Sequence, residues 1–262
     1  MGRSWVERDI ACDILFSASP KVARQALEPM RAGVDLVVQG EAGRRKRMLI
    51  ADMDSTMITV ECIDELADYA GLKPEVAAIT ERAMRGELDF EAALTERVAL
   101  LRDLDEAAIE RCREERVRIT PGAVELVRTM KANGAFCLLV SGGFTHFAEP
   151  VAAAIGFDQT RANRLDIADG KLTGCVIPPI LGADAKLAAL NEAVLSQAVP
   201  ADDVLAVGDG ANDIPMLQAA GLGISYHGKP AVAAAAHARI AYNDLGALLY
   251  AQGYAREEWV TA

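Results

Sequence analysis

Three stretches of the chain are apolar at every position and each runs directly into a polar turn. They are "MLIADMDST" from Met48, "AFCLLVSGG" from Ala135 and "VLAVGDGAND" from Val204. Helical patterns lie between them, "GAVELVRTMKANG" and "DAKLAALNEAVLSQA" among others. Continuously apolar strands belong to sheets covered on both faces, and their alternation with helices predicts a parallel sheet. The expected class is therefore α/β, a Rossmann-like sheet with helices on both sides. Ligands of such sheets bind beyond the carboxyl ends of the strands, where all three polar turns fall.

Around this core the pattern changes twice. Residues 59–118 carry no strand signal and read as four helices, "VECIDELADYAG", "KPEVAAITERAMRGE", "DFEAALTERVALL" and "DEAAIERCREERV". A helical cap is thus expected as an insertion after the first core strand, leaving 48–58 and 119–262 as the core domain. Residues 1–43 read as a small βαβ piece: "ACDILF", a helix opened by Ser19-Pro20, then "VDLVVQ". The basic run Arg44–Arg47 follows and reads as a solvated edge rather than a nucleic-acid patch. "RLDIADGKLTGCVI" predicts a hairpin turning at Asp169-Gly170.

Composition narrows the class. With 262 residues, 52% hydrophobic and 25% charged, the chain is long enough to bury a core without staples. A net charge of −11 disfavours nucleic acid and anionic membranes as partners. No apolar run approaches the ~18 residues of a membrane span, and no leader is apparent, so a cytoplasmic location is expected. The five cysteines are scattered and lack metal-site spacing, so reduced thiols are expected.

The turns carry candidate chemistry. Asp52 and Asp54 stand one residue apart at a strand end, where alternate residues share a side. Neighbouring carboxylates resist joint ionisation, which yields an ionised nucleophile beside a protonated acid. Asp209 and Asp213 flank a glycine-rich loop with Asn212 between them, an oxygen-only set suited to Mg²⁺. Helix capping by Asn212 or Asp213 is the plainer alternative. Ser141 and the N–H groups of Gly142 and Gly143 offer a cradle for phosphate. Lys186 stands near a helix start, where a cation is normally disfavoured; an anion in the site would explain it, and so would solvent. Phe90, Leu94, Arg97 and Leu101 share one helix face, so Arg97 needs an anionic partner: a ligand carboxylate or a cap glutamate.

Together, "DMDST", "SGG", Lys186 and "GDGAND" resemble the four ordered motifs of haloacid-dehalogenase-type (HAD) phosphatases. With "VECIDELA", "ITERAMRGELDFEAALTERVALL" and "RANRLDIADGKLTG", the chain is similar to the phosphoserine phosphatases of that superfamily. The resemblance implies hydrolysis of O-phospho-L-serine with Mg²⁺, Asp52 being the nucleophile and Asp54 the general acid and base. It implies that Asp52, the Asp54 carbonyl and Asp209 hold the metal, with Asp213 behind them. Ser141, Gly142, Gly143, Lys186 and Asn212 would surround the phosphoryl group. Glu61 would take the substrate ammonium, Arg97 its carboxylate, and Met84 and Phe90 would close the pocket. Other readings of the same chemistry are transfer to another alcohol such as homoserine, or a different small phosphomonoester. Relatives with an amino-acid-sensing domain have a longer N-terminal region; here it looks truncated, and pairing with a second copy stays open beside packing on the core.

Overall fold

The computed structural model describes residues 2–30, 32–84 and 87–261, the side chain of Met84 excepted. The first elements are strands β1 (Arg3–Glu7) and β2 (Ala11–Ile14), paired antiparallel, and helix α1 (Pro20–Leu27). The expected βαβ piece is therefore a hairpin followed by a helix, because "VDLVVQ" forms no strand. That segment spends its polar groups on the core instead of on a ladder. The Asp35 carboxylate accepts from the backbone N–H of Ala241 and Asn243 and from Asn243 Nδ2, and Gln39 donates to the Ala251 carbonyl. The basic run is partly tied to neighbouring segments, with Arg45 and Arg47 still exposed as expected of a solvated edge. Arg44 forks onto Asp13 and the Ala251 carbonyl, Arg45 pairs with Glu258, and Lys46 donates to the Asp202 carbonyl.

The core opens with β3 (Met48–Ala51), whose four residues are all fully buried. Met48 and Ile50 enter one hydrophobic cluster; Leu49 and Ala51 enter the other. The period-two alternation of a strand thus feeds two apolar layers, one on each face. Four helices follow without a strand: α2 (Cys62–Tyr69), α3 (Lys73–Met84), α4 (Phe90–Leu100) and α5 (Ala107–Arg116). Asp89 caps α4 by accepting from Ala92 N at 2.8 Å.

After α6 (Ala123–Ala132) come β4 (Phe136–Phe144), α7 (Thr145–Ile155), β5 (Gln159–Ala168) and β6 (Lys171–Ile177). The hairpin between β5 and β6 turns at Asp169 (φ 51°) and Gly170 (φ 73°), the left-handed pair that a two-residue hairpin requires. Then follow α8 (Ala183–Ser196), β7 (Val204–Gly208), α9 (Ile214–Ala219), β8 (Leu222–Tyr226), α10 (Pro230–Ala235), β9 (Ala238–Ile240) and α11 (Ala247–Ala251). The seven-stranded sheet runs β6-β5-β4-β3-β7-β8-β9 and is parallel except at β6. Strand order reverses at β3, which lies between β4 and β7, so a crevice opens beyond its carboxyl end.

Among the described residues, backbone hydrogen bonds join the helical insertion to the core at its base and along β6. Its base is closed by Thr59 N–H to the Arg118 carbonyl and Thr120 N–H to the Met57 carbonyl, both 3.0 Å. Farther out, the α4–α5 connection lies along β6: Asp103 N–H donates to Leu172 O at 2.8 Å, Leu172 N–H to Leu104 O at 2.9 Å, and Glu106 N–H to Gly170 O at 2.9 Å.

Candidate active site

Asp52 follows β3 in extended conformation, and the chain then makes a single wide turn, Met53–Met57, closed by the Ile58 N–H on the Met53 carbonyl at 3.0 Å. Asp54 lies inside that turn and Ser55 is left-handed at φ 55°. The strand geometry expected to set the two carboxylates on one side therefore ends at Ala51, and it is the wide turn that keeps Asp54 within electrostatic reach of Asp52. Ser55 Oγ donates to Glu61 Oε1 at 2.7 Å, tying the first residue of the insertion's helical stretch to the turn.

The second segment was expected to be a turn after the strand, and here the structure differs. Strand β4 continues through Ser141, Gly142 and Gly143 to Phe144. Val140 faces Arg161 and Phe144 faces Asn163, so four steps on β4 oppose two on β5. The strand bulges there, and bulges re-aim backbone and side chains at sheet ends. Ser141 is buried, and its Oγ accepts from Gly143 N–H at 2.8 Å. A side chain on Gly142 would meet Phe90 Cζ at 2.9 Å, and one on Gly182 would meet Phe90 Cδ1 at 3.2 Å. The α4 aromatic is thus wedged against both glycines, and a Cβ at Gly142 would force the ring to shift.

The third segment places Asp209 after β7 and Asp213 in a short 3-10 turn before α9. Asp213 makes no cap to α9. Its Oδ2 accepts from the N–H groups of Asp209 (3.1 Å) and Gly210 (3.0 Å), closing the loop on itself. Its Oδ1 lies 2.6 Å from Lys186 Nζ, which is also 2.6 Å from Asp52 Oδ1. Lys186, near the start of α8, is therefore buried between two carboxylates. Asn212 is half-buried, with its Oδ1 over Gly210.

Burial and charge set the protonation states. Burial pushes Asp52 well above the ordinary carboxylate range; Asp213 adds to the rise and Lys186 opposes it. Burial, with Glu61, raises Asp54 to about 7, while the Cys62 N–H and thiol pull it back. Asp209 rises to about 6 through burial and Asp213. Burial works against charge on Lys186, but Asp52 and Asp213 outweigh it and its pKa stands above the usual lysine value. Asp54 Oδ1 is buried with no hydrogen-bond partner among the described residues, a site left for a ligand to satisfy.

A cation fits this arrangement. Asp52, Asp209 and Asp213 each present an oxygen within 4.8 Å of the others, a hard oxygen-only set of the kind Mg²⁺ selects. The pKa values of Asp52 and Asp209 are lifted first by burial and then by Asp213, and a bound cation would oppose both effects.

On the insertion, Arg97 is half-buried, and its Nε donates to the Ala93 carbonyl at 3.2 Å. Burial lowers its pKa, while Asp64, Glu61 and Asp54 support its charge. Glu61 and Arg97 therefore share an electrostatic neighbourhood with Asp54. The side chain of Met84 lies outside the described residues. Three neighbours carried no role in the sequence reading. Thr56 Oγ donates to Asp209 Oδ1 at 3.0 Å, Cys62 backs Asp54, and Asn163 spans two loops of the site. Thr56 stands inside the aspartate motif and was visible as a hydroxyl; Cys62 and Asn163 gave no signal separable from packing.

Residues 49–218 match the family model for haloacid dehalogenase-like hydrolase. The chain belongs to the haloacid dehalogenase-like hydrolases. Within these hydrolases it is 43% identical over 233 residues to a phosphoserine phosphatase of Albidiferax ferrireducens, covering 85% of this chain and 98% of that one. A phosphoserine phosphatase of Streptomyces coelicolor is 44% identical over 235 residues, covering 89% of this chain but 57% of the longer relative. The chain thus spans nearly all of one relative and little more than half of the other. A solved structure described as a phospho-aspartyl intermediate analogue of phosphoserine phosphatase superposes with a TM-score of 0.73 at 40% identity, over 78% of this chain and 98% of that one. Among the described residues no helix is long and apolar enough to cross a membrane.

Proposed function

We propose that this hydrolase converts O-phospho-L-serine to L-serine and phosphate through an aspartyl phosphate on Asp52. The observation that carries the reading is the buried Asp52 carboxylate paired with Lys186, with Asp54 poised near pH 7 in the adjoining turn. Likeness to phosphoserine phosphatases along nearly the whole length of one relative supports the substrate.

Asp52 attacks phosphorus in line with the ester oxygen, and the Asp54 carboxyl delivers its proton to the departing serine oxygen. Asp54, now ionised, takes a proton from the water that cleaves the acyl phosphate. A carboxyl poised near the working pH serves both directions. Ser141, the N–H groups of Gly142 and Gly143, and Lys186 hold the phosphoryl oxygens, with Asn212 beside them. Glu61 receives the substrate ammonium and Arg97 its carboxylate, while Phe90 covers the pocket and limits water. Asp52, the Asp54 carbonyl and Asp209 would hold Mg²⁺, with Asp213 fixing the loop. When bound, the ion would supply positive charge to offset that of the phosphoryl group. Such positioning and charge stabilisation is most of what phosphoryl transfer requires of a protein. The helical insertion acts in this reading as a cap.

The test is phosphate release from L-phosphoserine with Mg²⁺, beside phosphothreonine, phosphoethanolamine and an aryl phosphate, with EDTA as control. Preference for phosphoserine, abolished by EDTA, is expected. Release from the aryl phosphate alone would overturn the substrate and leave the chemistry. Appearance of phosphohomoserine when homoserine is added would replace hydrolysis by transfer.

A further inference from the structure

Asn163 lies on β5 opposite the end of the β4 bulge and is 1% exposed. Its side chain is fully used. Nδ2 donates to the Gly142 carbonyl at 2.8 Å and to the Leu181 carbonyl at 3.3 Å, and Oδ1 accepts from Leu181 N–H at 2.7 Å. One buried amide thus joins two segments 39 residues apart in the chain, counted from Gly142 to Leu181. The first is the bulge carrying Ser141 and Gly143. The second leads through Gly182, the residue that caps α8, to Lys186.

The peptide between Gly142 and Gly143 is planar, so its N–H points away from its carbonyl. Fixing the Gly142 oxygen on Asn163 therefore fixes the direction of the Gly143 N–H. That N–H reaches Ser141 Oγ at 2.8 Å, on the side of the strand where a Gly143 side chain would meet Asp54 Oδ2 at 3.0 Å. Two consecutive glycines offer little resistance to a peptide flip of their own. Gly182 heads the helix and has no side chain with which to cap it.

We infer that Asn163 is a positioning residue for phosphate: it locks the Gly142–Gly143 peptide and the entry to α8 in one frame, so that donors from two segments converge on the same anion. The inference rests on the proposed reading of the site as one that holds a phosphoryl group. The side chain itself touches no reacting atom. Its effect passes through Gly143 N–H, Ser141 and Lys186.

The experiment is titration of the Mg²⁺-loaded chain with inorganic phosphate, beside steady-state kinetics and thermal unfolding, for the wild type, Asn163→Ala and Asn163→Asp. Asn163→Asp keeps the size and loses both donated bonds. Asn163→Ser replaces either variant if it does not fold, since a hydroxyl cannot span both partners. The expected result is a loss of phosphate affinity of tenfold or more in folded protein, kcat/KM for phosphoserine falling at least as far, and the Mg²⁺-induced thermal shift unchanged. A purely structural residue would lower the melting temperature and leave the phosphate affinity of the folded molecules alone. Folded variants that bind phosphate within twofold of the wild type overturn the inference and leave the site reading intact. A wild type that binds no phosphate and releases none overturns that reading, and the inference with it.

Discussion

Lys186 holds its ammonium 2.6 Å from the Asp52 carboxylate, with both side chains closed off from solvent. Asp213 lies equally close on the other side. A buried cation between two buried carboxylates has exchanged its hydration for two charge-assisted hydrogen bonds. Such a set costs desolvation on every member and holds only as a whole.

Removing the central cation should expose that cost. Lys186→Met should destabilise the metal-free chain by about 3–5 kcal/mol, the usual penalty for breaking a buried pair from one side. Denaturant titration in EDTA reads this directly. A midpoint equal to that of the wild type would mean that Asp52 and Asp213 carry no charge for Lys186 to balance.

Asp52→Asn should remove turnover by at least about 10³-fold, as loss of a nucleophile does, and should leave substrate binding measurable. Acid-quench trapping of labelled phosphoenzyme is expected with the wild type and absent in the variant. A variant that still forms phosphoenzyme would place the nucleophile elsewhere.

Arg97→Ala separates recognition from chemistry. A lost charge-assisted contact of about 1.5–3 kcal/mol corresponds to roughly 10- to 150-fold in kcat/KM. The loss is expected with phosphoserine and not with phosphoethanolamine, which has no carboxylate. Equal losses on both substrates would make Arg97 a structural partner of Glu61 and Asp64.

Dependence on pH follows from the carboxylates. Asp54 at about 7, Asp209 at about 6 and Asp52 well above its usual range are all raised on folding, chiefly by burial. Groups raised in this way stabilise the fold fully below their unfolded pKa, near 4, and lose that contribution as pH rises through the folded values. The metal-free chain should therefore lose this contribution between about pH 4 and 7. A bound divalent cation reverses the preference, because it favours the ionised forms. The rise in melting temperature on adding Mg²⁺ should grow from pH 5 to pH 8. An increment constant across that range would detach the metal from these carboxylates.

Much of the core was legible because its strands are buried on both faces. Met48–Ala51 and Val204–Gly208 are apolar at every position, and no amphipathic helix reads that way. The flanking strands were harder. Ala238–Ile240 is three residues long and directly follows alanine-rich α10, so local pattern alone cannot divide them. "VDLVVQ" has strand composition yet forms none, since Asp35 and Gln39 find long-range partners that sequence does not announce. At the site, Asp52, Asp54, Asp209 and Asp213 stood out in the sequence by residue type and spacing, whereas their geometry arose from tertiary events. The single wide turn at Asp54 and the bulge at Ser141–Gly143 both depart from the regular strand that periodicity assumes. Asn163 was silent because a buried amide bridging two backbones looks, one residue at a time, like any polar position in a strand.

The pinning of the α4–α5 connection along β6 makes α4 a lever with its fulcrum at the carboxyl end. Phe90 stands about 16 Å along the axis from Leu101 and Arg97 about 6 Å, at 1.5 Å per residue. Any tilt about that fulcrum carries the aromatic ring almost three times as far as the guanidinium. In the proposed reading, covering the pocket and holding the substrate carboxylate thus fall to residues at unequal distances from one anchored end of α4, and sequence spacing alone fixes the ratio of those distances.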